Sequence, residues 1–185
     1  MKKEKLKNIS ETRFGLNAKT NDREGILCLQ GKDIEENRIE FKGKIFVDPA
    51  KCTTKDYLKP GNILFSAKGN RHVAAVWDRK EKTVATSTFL ILLVNENEIL
   101  PEYLAWYINQ PKTQNYLKQI KKGGTISVVS KKEFDDIDIE IPSIQTQKKI
   151  IKIANLENRE QEILEEIKVK RKQLIQGITN KIFQK

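Results

Sequence analysis

The stretch GGTISVVSKKEFDDIDIEIPSIQTQ, residues 123–147, determines the architecture that the rest of the chain follows. Two adjacent glycines are typical of a helix end, and a hydroxyl-rich turn comes after them. The apolar run at residues 137–141 then predicts a short strand, which Pro142 closes. Ser143 is placed to cap a helix that begins directly afterwards. The stretch therefore predicts a helix, a turn, a strand and a second helix in that order.

A long amphipathic helix is predicted from Ile144 to about Phe183. Its apolar residues recur at heptad-like spacing and form a seam that is interrupted by Glu157, Glu160 and Arg171. About 40 residues at 1.5 Å each span roughly 60 Å, which is longer than a domain of this size can cover. We therefore expect the seam to pair with another helix, and a helix folded back on its own domain is the alternative. The seam consists of Ile150, Ile153, Leu164, Ile167, Leu174 and Ile178.

The sequence before residue 95 is typical of a β-rich domain. Pro101 suits the first position of a helix, and that helix continues to the glycines at 123–124. Ser130 and Glu133 have the spacing of a capping box and predict a short helix from Lys131. The fold class is therefore α+β, with a β-rich domain and packed helices followed by one long C-terminal helix of the coiled-coil type. Short apolar runs bounded by turn residues predict strands at 26–30, 44–48, 62–66, 73–77 and 83–94.

The composition favours a folded protein that binds a polyanion. Of its 185 residues 38% are hydrophobic and 32% are charged, which supplies a core beneath a highly charged surface. The net charge of +10 predicts attraction to nucleic acid, because lysine and arginine release counterions condensed on phosphates. A generically basic cytosolic protein is the alternative.

Two cysteines and one histidine do not form a disulfide framework or a zinc site at their spacings. Cys28 and Cys52 are therefore expected to be reduced, as in the cytoplasm. The apolar run at residues 89–94 is far too short to cross a membrane, and the lysine-rich start lacks the apolar segment of a signal peptide. We expect no cofactor, no metal and no membrane anchor.

Two segments carry hydrogen-bonding groups that suit contact with double-stranded DNA. The loop at residues 66–72 follows a predicted strand, and its Gly69 permits close backbone approach. The turn at residues 121–127 offers ammonium groups, amides and hydroxyls to phosphate oxygens, and the next helix start attracts phosphate as well. An ordinary solvated hairpin loop and a glycine helix stop are the alternatives. The candidate residues are Lys68, Asn70, Arg71, His72, Lys121, Lys122, Thr125, Ser127, Lys131 and Lys132.

The sequence disfavours an enzyme. Asp33, Glu40 and Lys42 have an Asp to Glu-x-Lys spacing that nuclease metal sites use, but chance supplies it in a chain with 25 acidic and 35 basic residues. A methyltransferase is disfavoured because the chain has neither an Asn-Pro-Pro-Tyr loop nor a glycine-rich nucleotide-binding turn. His72 has no serine or cysteine placed as its nucleophilic partner. No catalytic residue is predicted.

These motifs together resemble the specificity subunit of type I restriction-modification enzymes. The similarity lies in the turn at residues 123–127, in the proline- and glutamine-containing start of the long helix, and in residues 58–64. In the last of these, Asn62 stands where the family usually has aspartate. The family carries this signature twice on two recognition domains, whereas this sequence carries it once. It is therefore similar to a half-length form of the subunit.

The resemblance implies a non-catalytic subunit that selects DNA targets for other subunits. Residues 1–142 would be the target recognition domain, and residues 143–185 the spacer helix. The implied partners are double-stranded DNA, a methyltransferase subunit and an endonuclease subunit. With one recognition domain per chain, a homodimer formed through the C-terminal helix is expected to recognise an interrupted palindrome. A coiled-coil adaptor, or a silent cassette that supplies an exchangeable recognition domain, is the alternative.

Overall fold

The computed structural model describes residues 2–35, 38–120 and 127–183. Most strands lie before residue 95 and most helices after residue 100, which confirms the predicted α+β class. The strands are β1 (Lys2–Lys5), β2 (Ser10–Phe14), β3 (Thr20–Asn21), β4 (Ile26–Leu29), β5 (Ile34–Glu35), β6 (Arg38–Ile39), β7 (Phe46–Val47), β8 (Ile63–Ser66), β9 (Ala74–Val76), β10 (Thr83–Ala85), β11 (Phe89–Val94) and β12 (Asp138–Ile141). The helices are α1 (Leu6–Ile9), α2 (Pro101–Asn109), α3 (Pro111–Ile120), α4 (Lys131–Asp135) and α5 (Ile144–Phe183), with 3-10 turns at Gly31–Asp33 and Pro49–Lys51.

The core centres on an antiparallel sheet in the order β2-β11-β8-β9. The sequence of β11 is apolar throughout, and its first four residues are fully buried. All four residues of β8 are buried as well. Strands without polar alternation are typical of sheets covered on both faces, so β8 and β11 form the centre of the domain.

A second sheet has the order β10-β4-β7-β3, with β10 parallel to β4. The single strand predicted at residues 83–94 is wrong, because the chain leaves this sheet after Ala85 and enters the central sheet at Phe89. The connecting turn lies against Gly15, where an added Cβ would stand 2.2 Å from the Thr86 carbonyl oxygen. Glycine is required there because the two backbones approach so closely.

The single helix predicted from Pro101 to the glycines is also divided. Pro101 is at the start of α2 as predicted, but the helix ends at Asn109 and α3 begins at Pro111. Gln110, between them, is extended with ψ of 147°. A residue before proline is pushed out of the helical region, so Pro111 is the physical cause of the break.

Helix side chains satisfy the backbone at one edge of the central sheet. The Asn109 side chain accepts a hydrogen bond from the amide of Ala74 at 2.8 Å and donates to the carbonyl of the same residue at 2.7 Å. In α3, the Gln114 amide donates to the carbonyl oxygen of His72 at 2.8 Å. Buried backbone groups need hydrogen-bond partners. Because β9 is the edge strand of this sheet, the side-chain amides of Asn109 and Gln114 supply the partners that a neighbouring strand would otherwise provide.

The predicted caps of the last two helices are present. Ser130 and Glu133 form the reciprocal capping box at the start of α4. The Ser143 hydroxyl accepts a hydrogen bond from the Thr146 amide at the start of α5. Gln147 is fully buried, accepts from the Leu100 amide at 2.8 Å, and donates to the carbonyls of residues 98 and 142. The first turn of α5 is therefore bonded to the segment that precedes α2.

Strand β12 is held from both sides. β1 pairs with it antiparallel. The Asp138 carboxylate of β12 forms salt bridges with the ammonium groups of Lys3 and Lys5 of β1 at 3.0 and 2.8 Å. From α2, the Tyr103 hydroxyl donates to the Glu140 carbonyl at 2.7 Å, and the Tyr107 hydroxyl donates to the Asp138 carbonyl at 3.4 Å. Two tyrosines thus take the place of a neighbouring strand.

The chain divides into two compact units, residues 1–147 and residues 148–185. The first contains both sheets and helices α1 to α4. The second consists of most of α5, whose side chains are largely exposed. Among the described residues, no helix combines the length and the apolar character that a membrane crossing needs.

Tyr103→Phe should lower the free energy of unfolding by about 1 kcal/mol at neutral pH, because the Glu140 carbonyl loses its donor. Burial, followed by the nearby Tyr107 and Glu140, raises the pKa of Tyr103 to about 12. The unfolded pKa is about 10, so the protonated hydroxyl stabilises the fold below pH 10 and this contribution disappears as pH rises toward 12. Urea unfolding at pH 8 to 11.5 should show a shallower alkaline decline for the variant.

Tyr116→Phe is the matched control, because the Tyr116 side chain is 39% exposed. Its profile should follow that of the wild type. Parallel alkaline declines in wild type and Tyr103→Phe would contradict the role given to the Tyr103 hydroxyl.

Candidate nucleic-acid interface

The loop at residues 66–72 is positioned by the turn that enters β8. Gly61 has a φ of +88°, a conformation that residues with a side chain rarely adopt. Asn62 is buried, and its side-chain oxygen accepts a hydrogen bond from the Lys59 amide at 3.0 Å. An aspartate carboxylate could accept the same bond, so the asparagine preserves this turn. β8 then leads directly into the loop.

Three of the predicted contact residues are exposed on this loop. Lys68, Asn70 and Arg71 all have their side chains at the surface. Gly69 lies between them with φ of +122°, and an added Cβ would meet nothing within 4 Å. Its conformation, not crowding, therefore requires glycine, and open space remains beside the backbone. The loop offers an ammonium, an amide and a guanidinium to a ligand in solvent.

The loop is joined to the segment at residues 127–130, which is distant in sequence. The Gly69 amide donates to the Ser127 carbonyl at 3.0 Å, and the Val129 amide donates to the Ala67 carbonyl at 2.9 Å. Lys68 and Val128 are partners in the antiparallel bridge that these bonds form. The structure therefore brings Ser127 beside the loop, as parts of one surface.

His72 lies beneath this junction and does not face solvent. The residue is only 6% exposed, although the sequence predicts it as a DNA contact. Nδ1 is 2.9 Å from the Ser66 carbonyl oxygen, and Nε2 is 2.9 Å from the Ser127 hydroxyl. A carbonyl oxygen only accepts, so we assign the proton to Nδ1; in the neutral ring Nε2 then accepts from Ser127. Nε2 therefore joins the loop to the segment at residues 127–130, and Nδ1 holds the ring against the backbone of the same loop.

An aromatic stack continues from His72 into the core. The His72 ring stacks on Phe65 of β8 with centroids 6.1 Å apart. Phe65 stacks in turn on Phe134 of α4 at 4.0 Å. Phe65 and Phe134 are fully buried. The loop, the central sheet and α4 are therefore linked through three packed rings.

The start of α4 differs from the phosphate site that the sequence suggests. Glu133 returns to the Ser130 amide and hydroxyl, so the helix start already has a carboxylate partner. The ammonium of Lys131 is paired with Asp135 one turn later. Lys132 is exposed and remains directed to solvent. The other predicted contacts in this region, Lys121, Lys122 and Thr125, lie outside the described residues.

The Asp33 carboxylate and the Cys28 thiol are buried within the fold. Asp33 is fully buried, and its two oxygens accept from the amides of Gln30 and Lys42 at 2.8 and 2.9 Å. Burial raises the pKa of Cys28 to about 12, which leaves a thiol and not a nucleophilic thiolate. Within residues 2–35, 38–120 and 127–183, no cluster of three histidine, cysteine or acidic residues could hold a metal ion.

Arg79 has a structural role that the sequence does not reveal. Its guanidinium lies 5.4 Å from the Phe41 ring centroid and 5.8 Å from that of Trp77. It also donates to the Ile39 carbonyl at 2.7 Å. No local sequence pattern could identify this stack, because Phe41 is brought to Arg79 by the fold.

The predicted seam of α5 is mostly exposed. Ile150 is half-buried, and the other five seam residues face solvent. Leu156, Ile163 and Ile182 add to the exposed apolar surface. A stripe of this length is typical of a helix that pairs with another helix.

Comparisons with known proteins agree with this architecture. Residues 17–171 match the family model described as type I restriction modification DNA specificity domain. The chain is 30% identical, over 97% of its length, to a putative type I restriction enzyme MjaX specificity subunit of Methanocaldococcus jannaschii. It is 27% identical, over 80% of its length, to the type I restriction enzyme HindI specificity subunit of Haemophilus influenzae. The chain spans 44% and 32% of these two relatives.

Solved structures share the fold at low sequence identity. The HsdS subunit from Thermoanaerobacter tengcongensis has a TM-score of 0.61 at 16% identity, over 87% of this chain and 37% of its own. The S subunit of a type I restriction-modification system from M. genitalium has a TM-score of 0.62 at 9% identity, over 85% of this chain and 39% of its own. The family match covers well over half of the sequence. The chain therefore belongs to the family of type I restriction-modification DNA specificity domains.

Proposed function

We propose that this chain is the non-catalytic DNA-recognition subunit of a type I restriction-modification system in the cytoplasm. It would direct a separate methyltransferase subunit to its target, and an endonuclease subunit would join that complex. The observation that carries the proposal is the junction of the loop at residues 66–72 with the segment at residues 127–130. Relatives named as specificity subunits support the same role.

The side chains at this junction divide into two groups by their exposure. Lys68, Asn70 and Arg71 are exposed and carry the donors and acceptors that base edges and phosphates recognise. Ser127 and His72 hold the loop in place through the hydrogen bond between them. We therefore assign contact with DNA to the exposed loop residues and a positioning role to His72.

Lysines outside the loop complete the proposed surface. Lys132 would bind a phosphate, which fixes orientation without selecting bases. Lys131 would contribute less, because its ammonium is already paired with Asp135. Lys121, Lys122 and Thr125 remain proposed phosphate contacts on the basis of sequence alone.

We further propose that residues 1–142 act as the target recognition domain and residues 143–185 as a spacer helix that pairs with a second copy. Two identical chains related by a two-fold axis present the same recognition surface twice. The target would then be an interrupted palindrome, and the helix length would set the spacing of its half-sites. The methyltransferase subunit would dock on the paired helices.

Asn70→Ala and Lys132→Ala should weaken DNA binding in different ways. Loss of a base contact at Asn70 should cost about 1–3 kcal/mol on the recognised sequence and relax selection at one position. Loss of a phosphate contact at Lys132 should weaken binding to all sequences alike and lower the salt-dependence slope by about 1. Fluorescence anisotropy on matched and scrambled duplexes at several salt concentrations measures both effects.

The control for these variants is Lys80→Ala, an exposed lysine in the turn after β9. It should change neither selectivity nor the salt slope. If Asn70→Ala lowers the affinity for matched and scrambled duplexes equally, Asn70 does not contact a base.

The hydrogen bond between His72 and Ser127 should be detectable as a coupling energy. Ser127→Ala leaves Nε2 of a buried ring unsatisfied, so the free energy of unfolding should fall by about 1–3 kcal/mol. His72→Asn removes the same bond, and the double variant should cost less than the two single variants added together. Urea unfolding measures the stabilities. Ser127→Thr keeps the hydroxyl and should retain most of the stability, and strict additivity would exclude the coupling.

Reconstitution tests the function as a whole. The full chain, mixed with the methyltransferase subunit of the same system, should methylate random DNA at an interrupted palindrome, and the subunit alone should not. Sequencing of the methylated positions identifies the half-sites. Absence of both a complex and added methylation would favour the coiled-coil adaptor or the silent recognition cassette.

A further inference from the structure

The loop at residues 66–72 joins the antiparallel strands β8 and β9, and this hairpin lies between two layers of the domain. Successive residues of a strand point to opposite faces of their sheet. Phe65 points to the face on which it stacks against Phe134 of α4. Leu64 and Ser66 therefore point to the other face. The element that covers these two residues lies on the side of the sheet opposite to α4.

That element is the 3-10 turn that follows β4. Ile34, the residue after the turn, is buried in one cluster with Leu64. Gly31 lies directly against the start of the loop, because a Cβ added to it would stand 3.7 Å from the Ser66 hydroxyl oxygen. Lys32 is the next residue, and its side chain is exposed. The turn therefore brings an exposed lysine close to the loop.

A second lysine is brought to Lys32 by the buried Asp33. One oxygen of the Asp33 carboxylate accepts a hydrogen bond from the Lys42 amide at 2.9 Å, which ties the following segment to the turn. In that segment, a Cβ added to Gly43 would stand 3.8 Å from the Lys32 ammonium nitrogen. Lys44, the next residue, is exposed. Lys32 and Lys44 therefore belong to one exposed basic cluster.

The charge of this cluster is not neutralised within the part of the chain that the structure describes. Neither Lys32 nor Lys44 forms an ion pair with a described carboxylate. The lysines of β1 differ, because Asp138 of β12 neutralises both Lys3 and Lys5. An ammonium group without a carboxylate partner binds a phosphate without first losing an ion pair, so the cluster is suited to a polyanion.

The hairpin has lysines on both of its sides, as a groove of DNA has a phosphate backbone on both of its sides. The major groove is about 12 Å wide and admits a two-stranded ribbon. Lys132 of α4 lies on one face of the sheet, and the cluster of Lys32 and Lys44 lies on the other. Elements on the two faces of one sheet lie roughly 20 Å apart, at about 10 Å per layer, so these lysines do not share one phosphate.

We propose that Lys32 and Lys44 form a second phosphate-binding site, on the DNA strand across the major groove from the strand that Lys132 contacts. The hairpin tip enters the groove between the two strands. Phosphate contacts position a protein on the duplex, and contacts with both strands fix its tilt as well as its register. This second site rests on the proposed function, since its ligand is the same double-stranded DNA.

The salt dependence of DNA binding by the full-length chain tests the second site. Lys32→Ala and Lys44→Ala should each lower the slope of log K against log salt concentration by about 1 per recognition domain, because each removes one phosphate contact. The double variant should lower the slope by about 2. Fluorescence anisotropy on a scrambled duplex, without other subunits, measures the slopes.

The matched control is Lys59→Ala, an exposed lysine in the turn at the opposite end of β8. It removes the same charge but lies away from the hairpin tip, so its slope should equal that of the wild type. Circular dichroism should show the same folded domain for every variant.

Methylphosphonate substitution, which removes the charge of a single phosphate, assigns each lysine to a strand of the recognised duplex. Neutralising a contacted phosphate and removing its lysine should together cost no more than either change alone. Within each half-site, phosphates coupled in this way to Lys32→Ala should lie on one strand. Those coupled to Lys132→Ala should lie on the other strand, across the same major groove.

Three results would overturn the inference. An unchanged slope for the double variant, when Lys132→Ala still lowers it, would exclude the second site and leave the proposed function intact. Coupling of Lys32 and Lys132 to phosphates of the same strand would exclude a groove held from both sides. Wild-type binding to DNA that does not weaken with salt would contradict both this site and the proposed function.

Discussion

Backbone groups at the edges of short strands must find hydrogen-bond partners, and polar side chains from helices supply them here. Asn109 pairs with both backbone groups of Ala74, as a neighbouring strand would. The Tyr103 and Tyr107 hydroxyls donate to the carbonyls of Glu140 and Asp138 in β12. An unpaired buried backbone group costs about as much as a lost hydrogen bond, so each of these contacts fixes a helix against a strand edge. The candidate interface depends on this arrangement.

His72 extends the same principle to the loop at residues 66–72. Its backbone carbonyl is held by Gln114 of α3, and its ring is held by Ser66 and Ser127. A polar loop that bonds only to water would sample many conformations. Here the loop backbone forms a bridge with the segment at residues 127–130, and its charged side chains are exposed at the surface.

The sequence predicts features whose causes are local. Ser130 and Glu133 are three residues apart, so their spacing alone is enough to predict the capping box, and the helix starts at Pro101 and Ser143 are local in the same way. The break before Pro111 was also predictable from the local sequence, because the residue before a proline is disfavoured in the helical conformation. The fold class and the long helix follow from hydrophobic periodicity alone.

Features that depend on distant residues were not predictable. β1 has the sequence KKEK and no apolar pattern, and it becomes a strand only because β12 and Asp138 lie beside it. His72 has the chemistry of a DNA contact, but in the fold it is buried and both ring nitrogens have hydrogen-bond partners. The contact of Arg79 with Phe41 was not predictable either, since Phe41 reaches it only in the folded chain.

The bridge between Lys68 and Val128 has a consequence for any exchange of the loop at residues 66–72 between related proteins. The loop is one half of a two-part unit, and its other half lies about 60 residues later in the sequence. A graft that transfers residues 66–72 alone would bring donors without the Ser127 and Val129 groups that orient them. The two segments should therefore be exchanged together, with His72 and Ser127 taken from the same parent.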